Sequence, residues 1–577
     1  MAQALMAALV AKVLISMGEF AYEETASWIG ANDDLKKLKK TMKMIEYRVR
    51  DAEKRQEDDN SESVKLWLYR LRQLLYRADD LFDNILTLKR QKKRDEKTTF
   101  KKVGILLSIP NPINTVKLAL KIRKAENSSI CSLPALNLRG DLTIKFREWR
   151  VNAVVEAQRV NLTANGHLTS LSLKFQLEGE QVTLASCEID DMLACLHLPP
   201  YLKYMEFDGY IGHKMPHRWL DGLTNLISVS ISRCNSCRVV PHLGMLPHLK
   251  FLYIKDLEAL EYIEDEAGIL ADNDYLPFLE VLELEDLPQL KGWTRPSNDT
   301  GEQKKLLFPR LFQMKLNGCR ELISMPQAPK LESLDVRRIN GNMLKSILTL
   351  LHDHEAPSSS SPPSSALKRL SIYMIHDELE SLSISSSLCN LNTLEISYCY
   401  QLQSLMFESP NSIRHLDMKF CKSLRNISEG LQHLSVLEKL EIRCCEQLEE
   451  EQEAQDEGDT TQSWEALTRL RWLQLLEIPK MTKLPRGITC LITLQRLSVS
   501  TLENLTALPE EIGNLSQLRE LFITRCPKLK SLPPSLWGLT SLEKIHILGC
   551  SDLANRYKLD GEDYHLIQHV PHVNIEG

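Results

Sequence analysis

Two histidines four residues apart, His213 and His217, have the spacing of zinc ligands on one helix face. Pro216 stands between them and breaks the helix which that spacing needs. Cys234-Asn-Ser-Cys237 has the form of half a zinc site, with no second cysteine pair at ligand spacing. His352 and His354 flank an aspartate beside a Ser/Pro-rich run, and His565, His569 and His572 crowd the tail. No G-x-S-x-G nucleophile elbow occurs. No glycine is followed by lysine, so the loop that cradles phosphates in nucleotide hydrolases is missing. These patterns predict a protein that binds rather than catalyses, with no catalytic residue, no cofactor and no metal.

Three carboxylates make a different kind of site. Arg77-Ala-Asp-Asp-Leu-Phe-Asp83 puts Asp79, Asp80 and Asp83 on one side of a helix. Like charges at that spacing oppose each other by a few tenths of a kcal/mol per pair, which a basic partner relieves. The run Lys89-Arg-Gln-Lys-Lys-Arg94, with Lys97, Lys101 and Lys102, reads as a solvated helix end or as a patch for nuclear import or anionic lipid.

The element that carries the acidic trio is a long amphipathic helix. Val64, Trp67, Leu71, Leu74, Ala78, Leu81, Ile85 and Leu88 step by three and four. Leu35, Leu38, Met42, Ile45, Val49 and Ala52 repeat the pattern in an earlier helix, which Asn32 or Asp33 can cap. A first helix over residues 3–28 and a fourth over 114–124, after Pro110-Asn-Pro112, complete a four-helix bundle over 1–125.

From about residue 168 the period changes. The pattern L-x-x-L-x-L-x-x-(C/N/L)-x-x-L recurs, with copies at Leu311, Leu391 and Leu518, and at Leu470, Leu494, Leu518 and Leu542 near the end. This is a leucine-rich repeat. Each L-x-L core predicts a short strand with one face inward, and stacked repeats build an α/β solenoid with a concave parallel sheet. Seven of the 14 cysteines fall at one inward repeat position: Cys234, Cys319, Cys399, Cys421, Cys445, Cys526 and Cys550. There a reduced thiol serves as a small buried apolar group, which points to a reducing compartment. Residues 356–365 are Ser/Pro-rich and 446–459 are acidic, and both predict loops.

The chain of 577 residues is long enough for two or more units, and its net charge of −6 is uneven. Residues 1–126 carry 26 Lys+Arg against 18 Asp+Glu, which leaves the remainder acidic. No run of 18 or more uncharged apolar residues occurs. Lys12 interrupts the apolar start, which reads as an amphipathic helix rather than a signal peptide. Sequons such as that at Asn504 then carry no sugar.

Leu66-Trp-Leu through Asp79-Asp-Leu-Phe-Asp83 resembles the acidic "EDVID" region of the Rx-type N-terminal coiled-coil domain of plant nucleotide-binding leucine-rich-repeat (NLR) disease resistance proteins. Here Asp79 replaces a Glu and Phe82 an aliphatic residue. Gly549-Cys-Ser-Asp-Leu and the stretch from Gly561 to His572 are similar to the family's C-terminal end. The sequence from Leu136-Asn-Leu-Arg-Gly to about Ile263 resembles the start of its repeat domain. The family carries a nucleotide-binding (NB-ARC) switch of several hundred residues between bundle and repeats. This sequence passes from one to the other across residues 126–135, so ATP or ADP binding is not implied.

The resemblance implies a cytoplasmic defence protein, with nuclear or peripheral membrane contact open and no membrane span. It implies protein partners: a pathogen effector, a guarded host protein, or a full-length immune receptor modulated through the coiled coil, which can also self-associate. No nucleic acid is expected. In the family the acidic motif docks on arginines of the repeat domain, and Arg337, Arg369, Arg443 and Arg496 are the candidates here. Tyr204, Phe251, Tyr253, Tyr373, Trp472 and Phe522 occupy equivalent strand positions and predict a protein-binding concave face. A general repeat scaffold, such as a substrate adaptor, and a non-functional truncated product are the alternatives.

Overall fold

In the computed structural model the chain divides into two compact units, Met1–Lys124 and Ala125–Gly577. The structure describes residues 118–119, 139–146, 153–159, 162–164, 167–177 and 188–577, the last stretch without 217–218, 221, 245, 265–275, 296–307, 351–364, 376–378, 409–411 and 450–461. The helical bundle, Asp79, Asp80 and Asp83, and most of the two expected loops lie outside the described residues. One correction falls within them. Leu118–Ala119 is a strand, not part of a helix over 114–124. Val116, Leu118, Leu120 and Ile122 alternate with Lys117, Ala119 and Lys121, which is the strand period. An isolated helix of about 11 residues is marginal in any case.

The second unit is built on one parallel sheet in which each strand pairs with the next repeat's strand. It begins at Arg139–Phe146 and His167–Phe175, passes through Tyr204–Asp208, Ser228–Ser232 and Phe251–Lys255, and ends at Lys544–Leu548 and His572–Glu576. The sheet starts one strand before the first copy legible in the sequence. Leu142 and Ile144 supply that strand's inward pair without the usual leucine lead-in. Two short ladders, Tyr262–Glu264 with Gly292–Thr294 and Ser381–Ile384 with Ser404–Phe407, run separately from the main sheet.

The register places like with like. Leu473, Leu497, Leu521 and Ile545 are successive partners, and all are 0% exposed. Alternation along each strand turns its second and fourth residues into the core and its first, third and fifth onto the concave face. Parallel strands need a crossover of a dozen residues or more, and the 24-residue repeat supplies it. In the last repeats the return begins at Pro485, Pro509 and Pro533, each opening a short 3-10 turn.

The residue after each strand takes a left-handed backbone. Arg233, Asp256, Asp286, Arg338, Tyr398, Phe420, Cys444, Glu477, Thr501 and Arg525 lie there at φ between 50° and 58°. This costs roughly 1–2 kcal/mol per residue for an L side chain. The bend is held because its N–H donates to the next strand, as Tyr398 does to Lys419 O at 2.8 Å and Thr501 to Thr524 O at 2.7 Å. It turns the following residue inward. Cys234, Cys319, Cys399, Cys421, Cys445, Cys526 and Cys550 are therefore at most 1% exposed, and the described cysteines are all free. Their thiols donate to the carbonyl two residues back, at 3.5 Å for both Cys445 and Cys550.

Candidate functional site

The ten candidate side chains all stand at outward strand positions. Tyr204, Phe251, Arg369, Trp472 and Arg496 open their strands, Tyr253 and Phe522 are central, and Arg337, Tyr373 and Arg443 close theirs. The register then decides which of them meet.

Trp472, Arg496 and Phe522 come together. Lys439 Nζ lies 4.7 Å from the centre of the Trp472 indole, and the Arg496 guanidinium lies 4.5 Å from it. Their strands flank Trp472 on opposite sides, so both faces of the ring meet a cation. Arg496 also lies 5.1 Å from Phe522, which stacks on His546 at 4.7 Å and 10°. The file Lys439, Trp472, Arg496, Phe522, His546 crosses five strands.

Recessed carboxylates hold the cations of this file upright. Glu441 is 5% exposed at its side chain and pairs with Lys439 at 2.8 Å and Arg443 at 2.7 Å. Glu520 pairs with Arg496 and, at 2.9 Å, with Lys544. Burial pushes both carboxyls up. The hydrogen bonds and charge of Lys439 and Arg443 for Glu441, and of Lys544 and Arg496 for Glu520, outweigh it and hold both below the usual glutamate range. Asp417, beside Glu441 in register, goes the other way: burial raises its carboxyl despite Lys419. Each triad carries two cations for one carboxylate. Two buried donors in this region, Trp472 Nε1 and Arg443 Nε, have no acceptor among the described residues.

A second cluster forms around Tyr373. Arg337 lies 5.5 Å over its ring, Tyr373 packs on Tyr398 at 4.8 Å, and Tyr398 stacks on Phe420 at 4.5 Å and 13°. Tyr400 meets Tyr398 edge-on at 6.3 Å. Tyr398 and Phe420 escaped the sequence reading because they sit at the left-handed bend and not on the strand. The signal that could have found them is their place directly before a repeat cysteine.

Phe251 and Tyr253 share a strand, and Ser228–Ser232 separates it from the strand of Tyr204. Arg337 is held bidentate by Asp335 at 2.8 Å, while Arg443 pairs with Glu441 and Arg496 with Glu520. Arg369 is exposed and makes no ion pair with a described residue. Lys439, Glu441, Glu520, Lys544 and His546 belong to the site although the sequence reading did not select them. Charged x positions are common in such repeats, and only the register brings these together.

Of the zinc-like patterns, Cys234 and Cys237 are buried core thiols that donate to Ser232 O and Val239 O, both at 3.1 Å. Burial pushes the Cys237 thiol up to about 12, which disfavours the thiolate that a metal needs. Among the described residues no group of three or more His, Cys, Asp or Glu could hold a metal ion, and no helix is long and apolar enough to cross a membrane.

Residues 9–105 match the Rx N-terminal domain, and residues 130–257 match the R13L1/DRL21 leucine-rich repeats. Residues 106–129 separate the two matches. Among similar proteins, RGA1 of Solanum bulbocastanum is 28% identical over 291 residues, 49% of this chain and 26% of that protein. RPP13-like protein 1 of Arabidopsis thaliana is 27% identical over 327 residues, 53% of this chain and 29% of that protein. The disease resistance protein RGA2 of Solanum bulbocastanum is 29% identical over 211 residues, 35% of this chain and 20% of that protein. The matched stretches thus span under a third of these relatives. Among solved structures, the TLR13–ssRNA13 complex has a TM-score of 0.43 at 16% identity, covering 79% of this chain and 64% of that one. The Leptospira interrogans leucine-rich-repeat protein LIC12759 has a TM-score of 0.31 at 16% identity, covering 77% of this chain and 97% of that one. With an Rx-type match ahead of a resistance-type repeat match, and resistance proteins among its relatives, the chain is similar at both ends to the plant coiled-coil NLR disease resistance proteins.

Proposed function

We propose that this chain is a plant defence protein that acts by binding, and that the concave face between Lys439 and His546 is where a protein partner docks. The observation that carries this reading is the file of alternating cations and rings. Aromatic and arginine anchors dominate the energy of protein interfaces. The partner is a pathogen protein, a guarded host protein or a related immune receptor, met in the cytoplasm, and no chemistry on it is required. Because no phosphate-cradling loop precedes the repeats, binding proceeds without ATP or ADP.

The test is affinity capture with the full chain from infected and uninfected plant extracts, with Trp472→Ala and Arg496→Ala run in parallel. A partner held by the wild type and lost from both variants is expected. A partner retained equally by both would remove the concave face as the site.

A further inference from the structure

The last strand, His572–Glu576, has a neighbour on one side, Lys544–Leu548, and no strand on the other among the described residues. His572 N–H donates to Glu543 O at 3.0 Å, and Glu576 O accepts from Gly549 N–H at 2.9 Å. The backbone groups of 572, 574 and 576 therefore face the sheet. Those of Val573 and Ile575 point outward, with no partner among the described residues. The side chains show the same open edge. Val573 and Ile575 are half-buried, where their partners Ile545 and Ile547 are 0% exposed, and His572, Asn574 and Glu576 are exposed.

The sequence of this edge is its own complement. In an antiparallel pair about a two-fold axis at Asn574, His572 faces Glu576 of the second copy, Val573 faces Ile575, and Asn574 faces itself. The outward backbone groups then fall opposite one another, because Val573 and Ile575 form the hydrogen-bonded pairs and Asn574 the non-bonded one. Shifting the axis by one residue to Val573 keeps outward groups opposite outward ones but sets Ile575 against Pro571, which has no N–H to give. It also sets His572 against Asn574 and so loses the pairing with Glu576. We propose that this chain self-associates tail to tail through His572–Glu576, with a second copy of the same strand as the occupant. The two-fold axis makes the contact self-limiting, so it yields a dimer and not a filament. The half-buried Val573 and Ile575 of both copies meet on the core side of the joined sheet and cover each other.

Sedimentation equilibrium of the full chain tests this. The wild type should reach a dimer by about 100 µM. Ile575→Pro removes an outward N–H and no bond to Lys544–Leu548, so it should keep the circular dichroism spectrum and thermal midpoint while weakening association by on the order of tenfold or more. Glu576→Lys should weaken it too. The double exchange His572→Glu, Glu576→His should restore it, because the pairing is reciprocal. A wild type that stays monomeric overturns the proposal. So does a dimer untouched by Ile575→Pro, which would place association elsewhere, as would a double exchange that fails to restore. None of these outcomes bears on whether the concave face binds a partner.

Discussion

Arg338 reaches across an entire repeat to Asp286. Its guanidinium donates to Asp286 Oδ1 at 2.6 Å, although the strand Gln313–Asn317 lies between their strands. The intervening bend residue is Gly318, at φ +72°, and it leaves the space through which the pair meets. A Cβ there would stand 2.6 Å from Asp286 Oδ1.

Gly318→Ala should therefore destabilise the solenoid by about 1–2 kcal/mol, from the left-handed backbone and the displaced carboxylate. Asp286→Ala should cost less than about 1 kcal/mol, because the pair is solvent-screened. The double variant should cost less than the sum, since removing the Asp286 carboxylate removes the clash. Urea unfolding of the four proteins measures this, and strict additivity would disprove the steric coupling.

Glu441 and Glu520 predict an acid-sensitive concave face. Their folded carboxyls lie below the ordinary value of 4.5, so folding favours the ionised form. Their contribution to stability is full above that value and is lost as pH falls past it through the lowered folded value. Asp417, raised by burial, contributes in the opposite sense, with stability present at low pH and lost as pH rises through its folded value. The thermal midpoint of Glu520→Gln should fall less between pH 6 and pH 3.5 than that of the wild type. An equal fall would show that Glu520 is not held by Arg496 and Lys544 in solution.

Thiol reactivity should follow burial and charge. Cys389 and Cys490 are exposed, and burial and Glu465 push the Cys490 thiol up. Burial and Glu477 push the Cys444 thiol up to about 12. Iodoacetamide should label Cys389 first, then Cys490, then Cys444, and should reach the seven repeat cysteines only in denaturant. Mass spectrometry of timed samples reads the order, and early labelling of Cys526 or Cys550 would contradict the stacked core.

The resemblance implies a contact between Asp79, Asp80 and Asp83 and basic repeat residues, and we propose Arg369 as its target. Three of the four candidate arginines already hold a carboxylate, and Arg369 is exposed with no ion pair among the described residues. Charge reversal of all three aspartates should weaken co-precipitation of separately expressed 1–125 and 126–577. Arg369→Glu should do the same, and combining it with the reversed aspartates should recover part of the loss. Unchanged co-precipitation in both single arms would remove the contact.

The inward half of the repeat unit was legible in the sequence. Leu494, Leu497 and Val499 had to point inward because alternation along a strand is a local rule, and the cysteine after each strand had to follow them. The outward positions were legible as positions, and all ten candidates stand on them. Which of them touch was not. That Trp472 lies between Lys439 and Arg496 depends on the stacking register across the gap from 443 to 472, where an insertion lengthens the repeat. Arg338 finds Asp286 only because Gly318 stands in the column between them. Neighbouring side chains on this sheet come from residues some 20–30 positions apart, so their pairing is set by how successive repeats stack and by no pattern within one of them.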